Sequence, residues 1–517
     1  MLFRSQLKPY QVEGVDAMVD RKKMLVAYEM GLGKTCMTIA ALEKLKKDKD
    51  KPMLIICLSS LKYQWKKEIH KFSDSSATVV DGSAKAREVQ WSQSSDYIIV
   101  NYEAVVNDWD LIKDRVWGAV VCDEATAIKG FKSKRTRKVK DLSKNVSIRF
   151  ALTGTPIENG KPEELYSIMQ FVDSTVLGRF DLFDQTFIVR NHFGGVQRYR
   201  NLDLFHSKMK PVSVRKTQKD EDVAPHLPAE IYLDPIVIPF DSKSQHLYKF
   251  ISEELENELY EAQQLLGSNF SLLAHYGHES QPGSAVDQMR GSIMSKITAL
   301  RMLCDHPNLL VESSTKFEKQ EGEGSAYIFG LKDRGLLDGL KNSNKFKAVE
   351  QYVNDHLSTD DLHKVVIFTS YVGMVDLLSR SFPGSVEYTG RLNAKEKESK
   401  KEAFLNDPKT RVLVSSDAGG YGVDLPVANL LINYDLPWSS GLAVQRNSRI
   451  KRTSSIWGSI IIQDFIMEGS IEERQHQMLQ QKNAVSDAII DGQGINSKGG
   501  IDLTVGSLIK FLQNAKK

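Results

Sequence analysis

The sequence predicts an α/β protein built as two parallel-sheet lobes, with helical insertions between them and a helical segment at the C-terminal end. Three observations predict this. From Met24 to about Gln170, short apolar runs alternate with helical patterns; the same rhythm returns from Lys364; and between Phe171 and about Ser343 it lapses. Strand, crossover helix and strand again is the pattern of a mostly parallel sheet covered by helices on both faces. At 517 residues the chain also exceeds what one hydrophobic core usually serves, so two to four domains are expected.

The elements follow in order. MLVAY precedes a helical pattern from Thr35 to Lys46, and MLIICL precedes another from Lys62 to Phe72. YIIVNY, AVVCDE and RFALTGT complete the first set of strands. KVVIFTS, RVLVSSD, ANLLINYD and SIIIQDF form the second set. The intervening stretch has helical patterns around Gln245 to Leu266 and Ser292 to Leu303, and two segments, Gly277 to Ser284 and Ser313 to Ser325, that read as mobile loops. After Ile471 a polar helix to about Ile490, a Gly-rich turn at Gly492 to Gly500 and a short last helix are expected. The resulting division is 1–230 for the first lobe, with a helical insertion after about 171; 231–343 for a helical insertion and hinge attached to the second lobe; 344–470 for that lobe; and 471–517 for a C-terminal helical brace.

Composition excludes several classes. With 41% hydrophobic and 26% charged residues the chain is an ordinary globular protein, not a disordered one. A formal charge of +3 rules out a wholly basic nucleic-acid coat but leaves room for local basic strips. Cys36, Cys57, Cys122 and Cys304 lack the close pairing that zinc sites require and read as reduced, buried thiols. MLFRSQLKPY has no signal-peptide core, and runs such as MLIICL are too short to span a bilayer. A cytosolic or nuclear compartment is expected.

The chemistry begins at YEMGLGKT, Tyr28 to Thr35, which follows a strand and opens a helix as a phosphate-binding loop must. Gly31 and Gly33 let backbone amides approach phosphate oxygens, Lys34 supplies a cation for the β- and γ-phosphates, and Thr35 offers a hydroxyl to magnesium. A Gly-containing strand-to-helix turn would give a similar string, because Tyr28 stands where the general pattern has its first glycine. AVVCDEATAIKG then delivers Asp123 and Glu124 to a strand end, where Asp123 can hold the magnesium shell and Glu124 can orient or deprotonate water. Phosphoryl transfer needs a further cation, and Arg449 and Arg452 in QRNSRIKR are the candidates; a solvated helix face is the alternative.

In order, these motifs resemble the superfamily-two helicase-like ATPases, and specifically the Swi/Snf-type DNA translocases. LKPYQ, EMGLGKT, LSSLKYQWKKE, IVNYE, LTGTPIEN, VIFTSY, SSDAGGYGVDL and QRNSRIKR carry the resemblance over nearly the whole chain. ELYSIMQFV and LRMLCDHPNLL resemble stretches that ordinary helicases lack, and Trp438 falls at the family's spacing before Gln445. The resemblance implies two RecA-like lobes that close on ATP and magnesium. It assigns adenine reading to Gln11 and nucleotide contact to Glu29, Met30, Gly31, Leu32, Gly33, Lys34, Thr35 and Gln445. Catalysis falls to Lys34, Asp123, Glu124, Arg449 and Arg452, with Arg452 as the arginine finger, and the metal to Thr35 and Asp123. DNA contact or coupling falls to Ser60, Asn101, Tyr102, Thr153, Gly154, Thr155, Thr369, Gly419, Gly420 and Asp424. The chain departs from the pattern at Tyr28, where an acidic residue is usual, at Thr126 in place of histidine, and at Lys451 and Ser454 in place of histidine and glycine.

Six of the nine residues in KSKRTRKVK, Lys132 to Lys140, are basic, which fits either phosphate neutralisation or a solvated loop. Without an element that would enter a groove, binding is expected to ignore sequence. The expectation is a compact DNA-stimulated ATPase that translocates on double-stranded DNA, with single-stranded DNA or RNA as further ligands, in a bacterial or virus-infected cell or, in a eukaryote, the nucleus. A strand-separating helicase and a nucleotide-gated clamp are the two rival readings.

Overall fold

The computed structural model describes residues 4, 6–46, 51–157, 161–190, 196–266, 285–321, 324–420, 423–438, 440–477 and 479. The chain divides into two compact units. The first comprises Met1–Pro228 with Ser439–Gly458, and the second comprises Ala229–Trp438 with Ser459–Gln481, each in its described parts.

The first unit is organised by a seven-stranded sheet. Its strands are β1 (Lys23–Tyr28), β2 (Met53–Cys57), β3 (Ala77–Val79), β4 (Tyr97–Asn101), β5 (Ala119–Asp123) and β6 (Ile148–Leu152), joined after an antiparallel hairpin of β7 (Ile188–Arg190) and β8 (Val196–Tyr199) by β9 (Ser213–Lys216). The spatial order is β3-β4-β2-β5-β6-β1-β9, and every pair in it is parallel. Alternate residues of each strand enter different cores. Met24, Val26 and Tyr28 pack with Met37, Ile55, Trp65 and Phe150, whereas Leu25 and Ala27 pack with Ile56, Val100, Cys122 and Ala151. Burial on both faces explains why these strands read as continuous apolar runs.

The second unit carries β10 (Ala229–Tyr232), β11 (Ile236–Ile238), β12 (Val365–Thr369), β13 (Val386–Tyr388), β14 (Val412–Ser416), β15 (Leu430–Asn433) and β16 (Ser459–Met467). The order is β10-β16-β15-β12-β14-β13, with β11 also on β16, again all parallel. Helices Ser242–Leu266, Ala285–Asp305 and Pro307–Glu318 share one core with this sheet, where Ile251, Leu255, Leu300 and Leu310 meet Ile367, Val414, Ile432 and Phe465. At the heart of the unit Lys345, with no exposed surface, donates to Asp305 Oδ1 at 3.2 Å and Glu472 Oε1 at 2.6 Å.

The strands read from the sequence are all present, and the two-sheet α/β fold is as expected. The short edge strands β3, β9, β10 and β11 had no such signal; they are three or four residues long and lean on a neighbour's hydrogen bonds rather than on an apolar run of their own. One expected loop is corrected: Ser313–Glu318 is helical, because the His306 side chain caps Pro307–Glu318 by accepting from the Asn308 amide. The expected loop at 277–284 and the C-terminal elements beyond residue 479 lie outside the described residues; Ile471–Gln477 is helical as read. Among the described residues no helix is long and apolar enough to cross a membrane.

Candidate nucleotide site

The site grows from the carboxyl end of β1. Gly31 and Gly33 take left-handed backbone conformations, with φ of 82° and 86°, and turn the chain from β1 into helix Lys34–Leu45, for which Gly33 is the N-cap. A side chain is disfavoured at both positions. The loop is braced from below by Gln11 in helix Pro9–Arg21, whose Nε2 donates to Leu32 O at 3.0 Å while its Oε1 accepts from Lys8 N at 3.0 Å. Tyr28, the departure from the expected acidic residue, turns away from the loop: it is fully buried and its hydroxyl donates to Tyr10 O at 2.9 Å. Gly14 makes room for it, since a methyl there would lie 2.8 Å from that hydroxyl oxygen.

The Lys34 ammonium donates to Tyr28 O at 2.8 Å and Glu29 O at 3.2 Å. Burial lowers its pKa from the usual lysine value; the carboxylates of Glu124 and Asp123 oppose that shift, and Arg452 and Arg215 add to it. Thr35 begins the helix beside it and is half-buried.

Asp123 closes β5, buried. Its Oδ2 accepts from Trp65 Nε1 at 2.7 Å and its Oδ1 from the Glu124 amide at 3.0 Å. Burial raises the Asp123 pKa, partly countered by the Trp65 hydrogen bond, the Lys34 charge and the Glu124 amide. Glu124 itself sits at φ 49°, a left-handed conformation that costs a β-carbon-bearing residue about 1 kcal/mol and redirects its side chain from the strand line. Thr126 follows in a short 3₁₀ turn, Ala125–Ile128.

The loop after β6 abuts the same cradle. A methyl on Gly154 would lie 2.8 Å from Met30 Cγ and 3.5 Å from Lys34 Nζ. Thr153 is fully buried, with its amide on Val26 O at 3.2 Å and its hydroxyl accepting from the Thr155 amide at 3.1 Å. Among the described residues the buried Thr155 hydroxyl meets no hydrogen-bond partner. Arg452 lies against the loop as well, because a methyl on Gly31 would stand 2.8 Å from its Nη1 and 3.0 Å from Lys451 O. Gln445, Arg449 and Arg452 are all buried, at 4%, 3% and 5% exposure, and Gln445 Oε1 meets no hydrogen-bond partner among the described residues.

Two residues absent from the sequence reading complete the arrangement. Arg215 on β9 donates to Ala27 O at 2.8 Å and Gly154 O at 3.2 Å and pairs with Glu29 Oε1 at 3.4 Å. Gln218 donates its amide to Glu29 Oε2 at 2.7 Å and its Nε2 to Met30 O at 2.9 Å. The Glu29 side chain thus faces β9, leaving only backbone to the cradle. The run SVRKTQKD was the available signal, but it lies in the stretch where the strand-helix rhythm lapses.

The remaining sequence-derived residues lie elsewhere. Ser60, half-buried, occupies a 3₁₀ turn after β2; Asn101 ends β4 and donates to Glu103; Tyr102 is buried. In the second unit Thr369 is fully buried and donates to Asp435 Oδ2 at 2.5 Å. Gly419 and Gly420 lie buried in the turn after β14, and Asp424 is half-buried. Arg301, from the LRMLCDHP string, donates to Leu436 O at 3.1 Å and stacks 5.2 Å from the Trp438 ring, so this string ties a helix to the strand ends.

The geometry offers a glycine-lined helix N-terminus, a lysine, a buried aspartate, a glutamate and an arginine in one place, a set suited to phosphoryl transfer from a bound triphosphate. Among the described residues no cluster of three or more His, Cys, Asp or Glu side chains could hold a metal ion by itself. Asp123 and Thr35 nevertheless fit an ion that keeps phosphate and water oxygens as its other ligands, as magnesium does.

Residues 10–309 match the SNF2-related domain, and residues 344–454 match the helicase conserved C-terminal domain. The chain is 25% identical to YwqA of Bacillus subtilis over 95% of this chain and 49% of the relative. It is 28% identical to an uncharacterized ATP-dependent helicase of Mycoplasma pneumoniae over 92% of this chain and 42% of the relative. It is 24% identical to the CHD3-type chromatin-remodeling factor CHR7 of Arabidopsis thaliana, over 94% and 38% respectively. The chain therefore spans about half or less of the length of these curated relatives. Among solved structures, the Pyrococcus furiosus Hef helicase domain covers 92% of this chain and 99% of its own at a TM-score of 0.53 and 16% identity, a likeness of fold. The Sulfolobus solfataricus SWI2/SNF2 ATPase core in complex with dsDNA aligns at 25% identity over 95% and 94%, with a TM-score of 0.42.

Proposed function

Because the chain belongs to the SNF2-related family, we propose that it is a DNA-stimulated ATP hydrolase that translocates on duplex DNA and remodels DNA or protein–DNA complexes without reading sequence. The observation that carries this reading is the packing of Arg452 against Gly31 and of the Lys34 ammonium beside Gly154 and Tyr28 O, with the Glu124 and Asp123 carboxylates near enough to favour the Lys34 charge. In this reading the loop amides and Lys34 hold the β- and γ-phosphates, and Glu124 orients the attacking water. Arg452 stabilises charge that develops on the transferring phosphoryl group, which makes it an arginine finger. Arg449 and Gln445, both buried, are assigned to the same nucleotide. Gln11 reads adenine while bracing the loop through Leu32. Thr35 and Asp123 would hold magnesium, which neutralises phosphate charge when bound.

The loops at Ser60, Asn101–Tyr102, Thr153–Thr155, Thr369 and Gly419–Gly420 lie at or just beyond carboxyl ends of parallel strands, the edge where such sheets bind ligands, and Asp424 follows in the connection from β14 to β15. We assign them to DNA contact or to coupling; the full burial of Thr153 and Thr369 favours coupling for those two. We divide the chain into lobes at 1–230, 231–343 and 344–470, with Ser439–Gly458 packed in the first compact unit, and a DNA motor works where DNA is held, in bacterial cytoplasm or a nucleus.

The decisive experiment is ATP turnover measured in parallel with no nucleic acid, single-stranded DNA, duplex DNA and RNA. Stimulation by duplex DNA that rises with its length supports the motor, and negligible, length-independent turnover contradicts it. Displacement of a triplex strand without duplex unwinding distinguishes a translocase from the strand-separating helicase that the names of several relatives suggest.

A further inference from the structure

The indole of Trp65 is fully buried, so its N–H must find an acceptor inside the protein, and the acceptor it finds is a carboxylate oxygen, Asp123 Oδ2, at 2.7 Å. A hydrogen bond from a neutral donor to an ionised acceptor is among the stronger and more directional contacts a protein can make. The other carboxylate oxygen, Oδ1, accepts from the Glu124 amide at 3.0 Å. With one fixed donor on each oxygen, the plane of the carboxylate is set. The backbone is gripped as well: Tyr102, also fully buried, donates its hydroxyl to Asp123 O at 2.8 Å.

These donors come from different elements. Trp65 lies in helix Lys62–Phe72, which follows β2, and Tyr102 opens helix Tyr102–Asn107, which follows β4; Asp123 ends β5. Since β2 lies between β4 and β5 in the sheet, helices following both strands to one side of Asp123 converge on this one residue.

We propose that Trp65 is a positioning residue that aims the Asp123 carboxylate at the magnesium ion of a bound nucleotide, with Tyr102 fixing the backbone behind it. The inference rests on the ATP-hydrolase reading and deepens it. A large apolar side chain would fill the core equally well; what singles out tryptophan is the N–H on the metal-facing carboxylate. Outer partners of metal-ligating carboxylates typically carry tenfold or greater effects on metal affinity.

The test compares the wild-type chain with Trp65→Phe, which keeps an aromatic ring in the core but removes the donor, and with Tyr102→Phe. Binding of a fluorescent ADP analogue is titrated with Mg2+, without turnover. Trp65→Phe is expected to raise the Mg2+ midpoint roughly tenfold, while binding of the analogue in EDTA stays unchanged; Tyr102→Phe raises it by less. In parallel, the indole 1H–15N resonance of Trp65, identified by its loss in Trp65→Phe, is followed in the wild-type chain. It is expected to shift on addition of Mg2+ with ADP but not of ADP with EDTA. A wild-type midpoint in a folded Trp65→Phe overturns the proposal and leaves the ATP-hydrolase reading standing, as does an indole resonance that Mg2+ and ADP leave unmoved. Should Trp65→Phe fail to fold, the Trp65 resonance is assigned by elimination, through Trp→Phe replacement at each of the other five tryptophans, and its response in the wild-type chain decides. A wild-type chain that binds no Mg2+-nucleotide overturns both.

Discussion

The Lys34 ammonium lies 2.8 Å from the carbonyl oxygen of Tyr28, so the cation of the phosphate loop is tied to the backbone at the end of its own strand. That tie aims it across the turn rather than into solvent. Lys34→Ala removes the cation and leaves the glycine turn intact. Turnover is expected to fall by at least about a hundredfold, with DNA affinity within about twofold of wild type because no phosphate contact of the nucleic acid is lost. Steady-state ATPase and a filter-binding assay check both.

Arg452 presses on Gly31 without being part of the loop, so its loss leaves the cradle in place. Arg452→Ala is expected to bind ATP near normally and to turn over about a thousandfold more slowly, the range of a lost arginine finger. Nucleotide binding and single-turnover hydrolysis separate the two effects; a large loss of affinity at normal turnover contradicts the assignment.

The segment Lys132–Ser143, which includes helix Lys134–Ser143, sorts its cations by exposure. Lys132, Lys134 and Arg137 are exposed, Arg135 pairs with Glu103 at 2.6 Å, and Lys140 turns inward to Ser167 Oγ at 3.2 Å. If the exposed three meet DNA phosphates, Lys134→Ala lowers the slope of log affinity against log salt by about 1, whereas Lys140→Met leaves it unchanged. Fluorescence anisotropy across a salt series measures the slope.

Lys140 also carries a pH signal. Burial pushes its pKa down to about 8, whereas in the unfolded chain a lysine titrates near 10.4. The folded state therefore carries the cost of a buried charge at all pH values below about 8, and that cost disappears as pH rises toward 10.4. Lys140→Met is expected to stabilise the protein by roughly 1–2 kcal/mol at pH 7, with the gain vanishing by about pH 10. Urea denaturation at the two pH values checks the sign.

Lys345 is bonded to both Asp305 and Glu472 with no exposed surface. Lys345→Met strands two buried acids, and the expected loss is about 3–5 kcal/mol, read as a lower thermal midpoint for the second unit. A change below about 1 kcal/mol, the range of surface pairs, contradicts the role.

The strands were legible because burial on both faces forces apolar runs: Met53–Cys57 and Val365–Thr369 are buried throughout. The phosphate loop was legible because its geometry demands glycine at two left-handed positions and a lysine beside them. By contrast, β9 was silent. Its four residues are only half-buried and three of them are polar, yet they carry the arginine that bonds Ala27 and Gly154.

By itself, then, the sequence determined the periodic and the local: which segments form two parallel sheets, and where backbone must turn sharply beside a cation and a pair of acids. Only the tertiary structure decided the partners across the chain. Tyr28 turns into the core toward Tyr10, Glu29 turns toward Arg215, and Trp65 reaches Asp123, 58 positions away. The physical reason is that apolar periodicity and glycine conformation are properties of neighbouring residues, whereas a directional hydrogen bond depends on which strand lies beside which.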